Sequence, residues 1–137
     1  MELDKNTKNE LIKIFKNNEF MKVELEIGRL LKNMPNNVFL LKLLGMTYVN
    51  LKKNKNAITA YKKVIQLSPN DAESNNNYGY ILWVQGHDRE AEHFFKKAIK
   101  LKKNYPQAII NLLELYKKEN NFEKAEELLK SNYLNNK

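Results

Sequence analysis

The sequence predicts an all-α fold of eight antiparallel helices in a repeating array, and three observations predict it. The first is self-similarity. Ala57-Ile-Thr-Ala-Tyr61-Lys-Lys-Val-Ile65-Gln-Leu67 lies over Ala91-Glu-His-Phe-Phe95-Lys-Lys-Ala-Ile99-Lys-Leu101 at an offset of 34 residues, with no gap. The second is apolar spacing at i, i+3, i+4, i+7 within each half of the repeat, the period of a one-sided helix. The third is composition: four Gly and three Pro among 137 residues are too few for an all-β chain, which turns about every ten residues. The chain is 42% hydrophobic and 29% charged, so it carries enough apolar material for a core and is not a disordered polar chain.

Each element follows from this register. Four units are expected in a single domain over residues 1–137: 4–37, 38–71, 72–105 and 106–137. In the first unit Val23, Ile27 and Leu30 mark the second helix, after a break at Asn17-Asn18. In the second, Leu40, Leu41, Leu44 and Tyr48 mark one helix, Lys52–Lys55 the break, and Ala57, Tyr61, Val64 and Ile65 the other. The third has Tyr78-Gly79-x-x-Leu82, a break at Gln85-Gly86-His87, and the run from Ala91. The fourth has Leu112-Leu113-x-x-Tyr116, a break at Glu119-Asn-Asn121, and Ala125-Glu-Glu-Leu-Leu129. Asn and Gly tolerate the left-handed conformation that ends a helix. Between units stand Met34-Pro35-Asn-Asn, Ser68-Pro69-Asn-Asp71 and Lys103-Asn-Tyr-Pro106, where Pro stops a helix and Asn or Asp can cap the next.

This pattern resembles the tetratricopeptide repeat (TPR), whose 34-residue signature sets a large apolar residue, Leu-Gly, an aromatic, Ala, an aromatic, Ala and Pro at fixed intervals. The second unit fits best, with Leu41, Leu44-Gly45, Tyr48, Ala57, Tyr61, Val64 and Pro69. The third has Tyr78-Gly79, Leu82, Ala91, Phe95 and Ala98, but Lys103 where Pro is expected. In the outer units Leu11 and Leu113 replace Gly. Gly45 and Gly79 are read as sites of close helix approach, with Ala57, Ala91 and Ala125 acting likewise inside their units. The resemblance implies a right-handed α-α superhelix (a TPR solenoid) whose first helices line a concave groove for an extended peptide or a partner helix.

Carried over by register, the resemblance places Asn9 in that groove in the first unit, Lys42 and Met46 in the second, Asn77, Tyr80 and Trp83 in the third, and Asn111 in the fourth. Asn9, Asn77 and Asn111 share one place, with Leu43 breaking the row. In the family, as in the repeat region of the O-linked N-acetylglucosamine transferases, an Asn row there holds the backbone of an extended peptide. Asn offers both donor and acceptor and so pairs with an amide of any sequence. The competing reading is coincidence in an Asn-rich chain. Phe39, Met46, Tyr80 and Trp83 offer apolar, polarisable surface, while packing against the next helix competes for Trp83. The family's carboxylate clamp for chaperone tails fits poorly: Lys42 and Asn77 match, but Met46, Gln107 and Asn111 stand where Asn, Lys and Arg are wanted.

The formal net charge is +8, distributed by unit as +2, +5, +2 and 0 with Glu2 outside the units. A basic outer face offers the alternative of a superhelix binding RNA or another polyanion. Only Arg29 and Arg89 are present beside many Lys, which disfavours nucleic acid as a specific partner. A third reading is an assembly module for a transferase or a secretion or pilus complex. No catalytic residue, cofactor or metal is expected. His87 and His93 lack ligand spacing, no Gly-rich phosphate loop occurs, Cys is absent, and carboxylates such as Glu126-Glu127 fall on solvent faces. No signal segment is written at the start, and the longest apolar run is four residues against the roughly 20 a span needs, so a cytoplasmic adaptor is expected. Leu112, Leu115, Tyr116, Leu128 and Leu129 are expected to leave an apolar end face at the C-terminus, with no capping helix after Leu134, giving a route to a homo-oligomer.

Overall fold

A computed structural model of the chain describes residues 2–133. Its helices are α1 (Lys5–Lys16), α2 (Phe20–Leu31), α3 (Val38–Asn50), α4 (Asn54–Leu67), α5 (Ala72–Val84), α6 (Asp88–Leu101), α7 (Pro106–Lys118) and α8 (Phe122–Tyr133). No strand occurs among the described residues. Leu134 to Lys137, including the tail of the fourth repeat and the expected stop after Leu134, lie outside them. The chain divides after Ser68 into two compact units, each of two helical hairpins.

The break inside every hairpin is the same turn, repeated at the sequence period. Asn18, Lys52, Gly86 and Asn120 all adopt positive φ, between 56° and 84°. The amide of the next residue reaches back five positions in each case: Glu19 to the Ile14 carbonyl, Lys53 to Tyr48, His87 to Leu82 and Asn121 to Tyr116, at 2.8–3.0 Å. This pairing satisfies carbonyls that the helix end would otherwise orphan, and it needs one left-handed residue. Asn and Gly take that conformation cheaply; Lys52 takes it at a cost of about 1–2 kcal/mol.

Caps start the first helices. The side chains of Asp4, Asn37 and Asp71 accept from the amides of Thr7, Leu40 and Ser74 at 2.9–3.1 Å. Asp4 sits one place later than the register of Asn37 and Asp71, so α1 starts one residue late, and Leu3 is buried instead. The connection before α7 is built differently. Lys103 replaces the expected Pro, Asn104 adopts φ 58°, and Pro106 moves to the first turn of α7, where its missing N–H costs nothing.

In the first unit (residues 1–68) Leu11, Ile14, Val23, Ile27, Leu40 and Leu44 form one core, with Phe39, Leu43 and Tyr48 packed at its edge. Tyr61, Val64 and Ala57 are fully buried. In the second unit (residues 69–137) Ile81, Ala91, Phe95, Ala98, Ala108, Leu112 and Leu115 are fully buried. A Cβ on Gly45 would collide with two edge carbons of the Tyr61 ring, and one on Gly79 would lie 2.7 Å and 2.8 Å from two Phe95 ring carbons. Helix crossings this close leave no room for a side chain on the first helix.

Two expectations are corrected here. Leu112, Leu115 and Tyr116 do not contribute to an apolar end face. They are buried between helices, while Phe122 and Leu129 are the exposed apolar residues of α8. Not every carboxylate lies on a solvent face either. Glu92 accepts from the Tyr116 hydroxyl at 2.9 Å and pairs with Lys96 and Lys124 at 2.8 Å and 3.4 Å. Burial pushes the Glu92 carboxyl up, but the bonds from Lys96 and Tyr116 and the nearby ammonium charges outweigh it and hold the group below the usual carboxylate range. Burial, reinforced by that same bond, pushes the Tyr116 phenol well above its ordinary value.

Candidate functional site

The surface left over when first helices have packed on second helices is the candidate site, and each unit presents its own part. In the first unit Asn9 is exposed on α1, while Lys42 and Met46 are half-buried one turn apart on α3. The Lys8 ammonium stands 5.6 Å above the Phe39 ring, so an α1 cation already occupies one face of that aromatic. Leu43, which interrupts the Asn row, packs at the edge of the core.

In the second unit α5 carries three consecutive asparagines whose roles differ, because successive residues point about 100° apart around a helix. Asn75 is fully buried, and its amide donates to the Pro69 and Asp71 carbonyls at 3.0 Å and 2.8 Å, tying down the turn that precedes its own helix. Asn76 is buried and accepts from the Asn111 amide at 2.9 Å, joining α5 to α7. Asn77 is half-buried on the adjoining face. Asn111 in turn accepts from Gln107 at 3.4 Å, so Gln107, Asn111 and Asn76 form a directed row of carboxamides across the two first helices.

Tyr80 and Trp83 are half-buried neighbours with ring centroids 6.4 Å apart, edge to face. Trp83 also meets Phe95 edge to face at 6.4 Å, so part of its surface is spent inside the hairpin, while Tyr80 has no such core contact among the ring pairs. Ile110 lies exposed on α7 beside Asn111. The second unit thus brings Asn77, Tyr80 and Asn111 to first helices joined by a carboxamide bridge, whereas Asn111 is itself engaged and 7% exposed.

Reading the sequence by register passed over two kinds of residue. Asn75 belongs to an Asn-rich run that register alone does not resolve, and Asn76, which register places in the groove, is instead buried at 2% exposure. Met21 and Leu25 on α2 are 77% and 72% exposed and, with Gly28, Lys32 and Tyr48, line an open cleft. Their register partners carried the signal: Lys55 and Thr59, Arg89 and His93, and Glu123 and Glu127 are all polar. Among the described residues no group of three His, Asp or Glu side chains could hold a metal ion, and no helix is long and apolar enough to cross a membrane.

Helical hairpins repeating every 34 residues, each closed by one left-handed turn and two of them packed internally through a Gly–aromatic crossing, define an all-α solenoid-type repeat protein. Family models agree. One described as TPR repeat matches residues 45–86, and one described as tetratricopeptide repeat matches residues 85–131. The chain belongs to the tetratricopeptide repeat family. Among curated proteins it is similar to human aspartyl/asparaginyl beta-hydroxylase, 33% identical over 75 residues, which are 55% of this chain and 10% of the hydroxylase. It therefore spans only about a tenth of that relative's length. Among solved structures it is similar to MamA, with a TM-score of 0.79 at 25% identity, covering 95% of this chain and 73% of MamA. It is also similar to PilW, described as a widely conserved type IV pilus biogenesis factor, with a TM-score of 0.82 at 25% identity, covering 98% of this chain and 64% of PilW. The chain has the all-α fold of TPR solenoids, and that fold makes it a protein-interaction scaffold.

Proposed function

We propose that this scaffold is non-catalytic and binds an extended peptide or a partner helix along its first helices. The observation that supports the reading most is the second unit's α5–α7 surface, where the Gln107–Asn111–Asn76 carboxamide row runs beside Asn77, Tyr80 and exposed Ile110. The buried Asn76–Asn111 bond fixes α5 against α7, the half-buried Asn77 carboxamide pairs with a peptide amide without selecting side chains, and Tyr80 and Ile110 supply apolar contact for the residues between. Lys42 and Met46 offer the first unit's equivalent, a cation beside a deformable thioether. Similarity to PilW favours a role in assembling a larger complex as the setting for such binding.

Binding to an immobilised library of extended peptides tests the reading. Asn77→Ala and Tyr80→Ala are each expected to weaken binding about 5- to 10-fold, the worth of one hydrogen bond or one aromatic contact. Lys62→Glu is expected to leave it unchanged. The reverse pattern, with RNA or polyphosphate retained in low salt and lost on Lys62→Glu, contradicts peptide binding and supports the polyanion alternative.

A further inference from the structure

We infer that the cleft beside α2 in the first unit docks a helix of another protein, one that presents a large apolar side chain flanked by aspartate or glutamate. The repeat register marks the face. Met21, Leu25 and Gly28 stand at i, i+4 and i+7, a single stripe along α2. The register partners of Met21 and Leu25 are polar, and those of Gly28 are Lys62, Lys96 and Lys130, all exposed. On α4 and α6, which have a hairpin before and after them in the chain, Lys55, Thr59, Arg89 and His93 are exposed as well. Exposure therefore belongs to these places on the repeat and does not depend on what precedes α1. Only in the first repeat do they carry apolar side chains and bare backbone.

The stripe borders an open cleft of about 720 Å³, lined also by Lys32 and by Tyr48 of α3. Apart from its own helix backbone and chain neighbours, nothing lies within 4 Å of the point where a Gly28 Cβ would stand. The lysine stem of the other repeats is thus replaced by a hole beside Leu25. From Met21 to Lys32 the stripe runs about 16 Å along the axis, three turns, which a partner helix meets with its own i, i+3, i+7 residues, one of them seated over Gly28. Charge fixes the partner's flanks. Of the two carboxylates lining the cleft, Glu24 accepts from Lys53 through both oxygens at 2.8 Å and 2.9 Å, and Glu26 accepts from Arg29. Among the described residues Lys32 meets no carboxylate. The adjoining hollow, which shares Tyr48, is lined by Lys55 and Lys63, and Lys63 donates to the Pro35 carbonyl at 2.7 Å, a neutral partner that leaves its charge unbalanced. The surplus on both sides of Tyr48 is cationic, so acidic flanks complement it, whereas a second copy of this face would set like charge against like.

Selecting a phage-displayed library of amphipathic helical peptides on the full chain tests the inference. Binders are expected that carry Asp or Glu beside a large apolar residue and weaken with added salt. They should lose at least about 10-fold in affinity on Leu25→Asp and on Gly28→Gln. Gly28→Gln introduces a better helix former where no neighbour stands, so that loss reports a filled hole and not a folding defect. Lys32→Glu should weaken the same binders several-fold, with recovery when the peptide's acid is exchanged for Lys. Asn77→Ala should leave them unchanged, which separates this face from the first-helix surface. A library that yields no binder lost on Leu25→Asp overturns the inference, and so do Leu25-dependent binders with basic flanks. Leu25-dependent binding to phosphatidylglycerol vesicles in place of any helix overturns it equally and assigns the stripe to a membrane surface.

Discussion

The middle repeats and the outer repeats solve one packing problem with opposite choices. At the crossing inside each hairpin, the second repeat pairs Gly45 with Tyr61 and the third pairs Gly79 with Phe95, and the aromatic ring occupies the volume a Cβ would need. At the same two places the first repeat holds Leu11 and Ile27, and the fourth holds Leu113 and Leu129. Two aliphatics carry more side-chain volume than a bare glycine and one ring, and Leu129 is 40% exposed where Tyr61 and Phe95 are fully buried. What the repeats share is the place of the pair, a ring where the first helix is bare and two aliphatics where it is not. Loss of the glycine in the outer repeats does not mark a departure from the fold, because their hairpins close through the same left-handed turn.

Exchanging the pair gives the largest effect that bears on this comparison. Gly79→Leu alone should destabilise by about 3 kcal/mol, the upper part of the overpacking range, because the added side chain meets the Phe95 ring and the Ala91 carbonyl, which lies 3.3 Å from a Cβ at that position. Phe95→Leu alone should also destabilise by leaving a cavity. Together they recreate the fourth repeat's pair, and the double variant should recover at least about 1 kcal/mol relative to the sum of the singles in urea unfolding. Strict additivity would show that the two sites do not share one volume.

A smaller effect separates the hairpin turns. Three of the four use Asn or Gly at the left-handed residue, and the second repeat uses Lys52. Lys52→Gly should raise stability by about 0.5–1 kcal/mol, read as a higher urea midpoint with unchanged slope. Asn18→Gly and Asn120→Gly should change it less, since Asn already tolerates the conformation. A loss of stability on Lys52→Gly would mean that the side chain contributes something its exposed position does not suggest.

The period, the eight helices and the hairpin breaks were legible in the sequence because each is set within one repeat and printed four times. Burial that depends on the next repeat was not. Leu112, Leu115 and Tyr116 read as an open end face, yet they are enclosed by neighbouring helices, and the exposure moves to Phe122 and Leu129. Met21 and Leu25 fit an apolar helix by composition, and only their polar register partners reveal that they face outward. In the candidate site, a shared place on the repeat predicted Asn77 and Asn111 equally. The difference between them comes from Asn76, whose carbonyl takes the Asn111 amide at 2.9 Å. A one-dimensional register cannot separate side chains that lie one residue, and so about 100°, apart.

The account rests on helical hairpins closed at a fixed 34-residue interval, and backbone NMR assignment with φ-dependent couplings measures this directly. Eight helical stretches with positive φ at residues 18, 52, 86 and 120 are the expected result. Helix running unbroken through any of these positions, or a break displaced from that spacing, would contradict it.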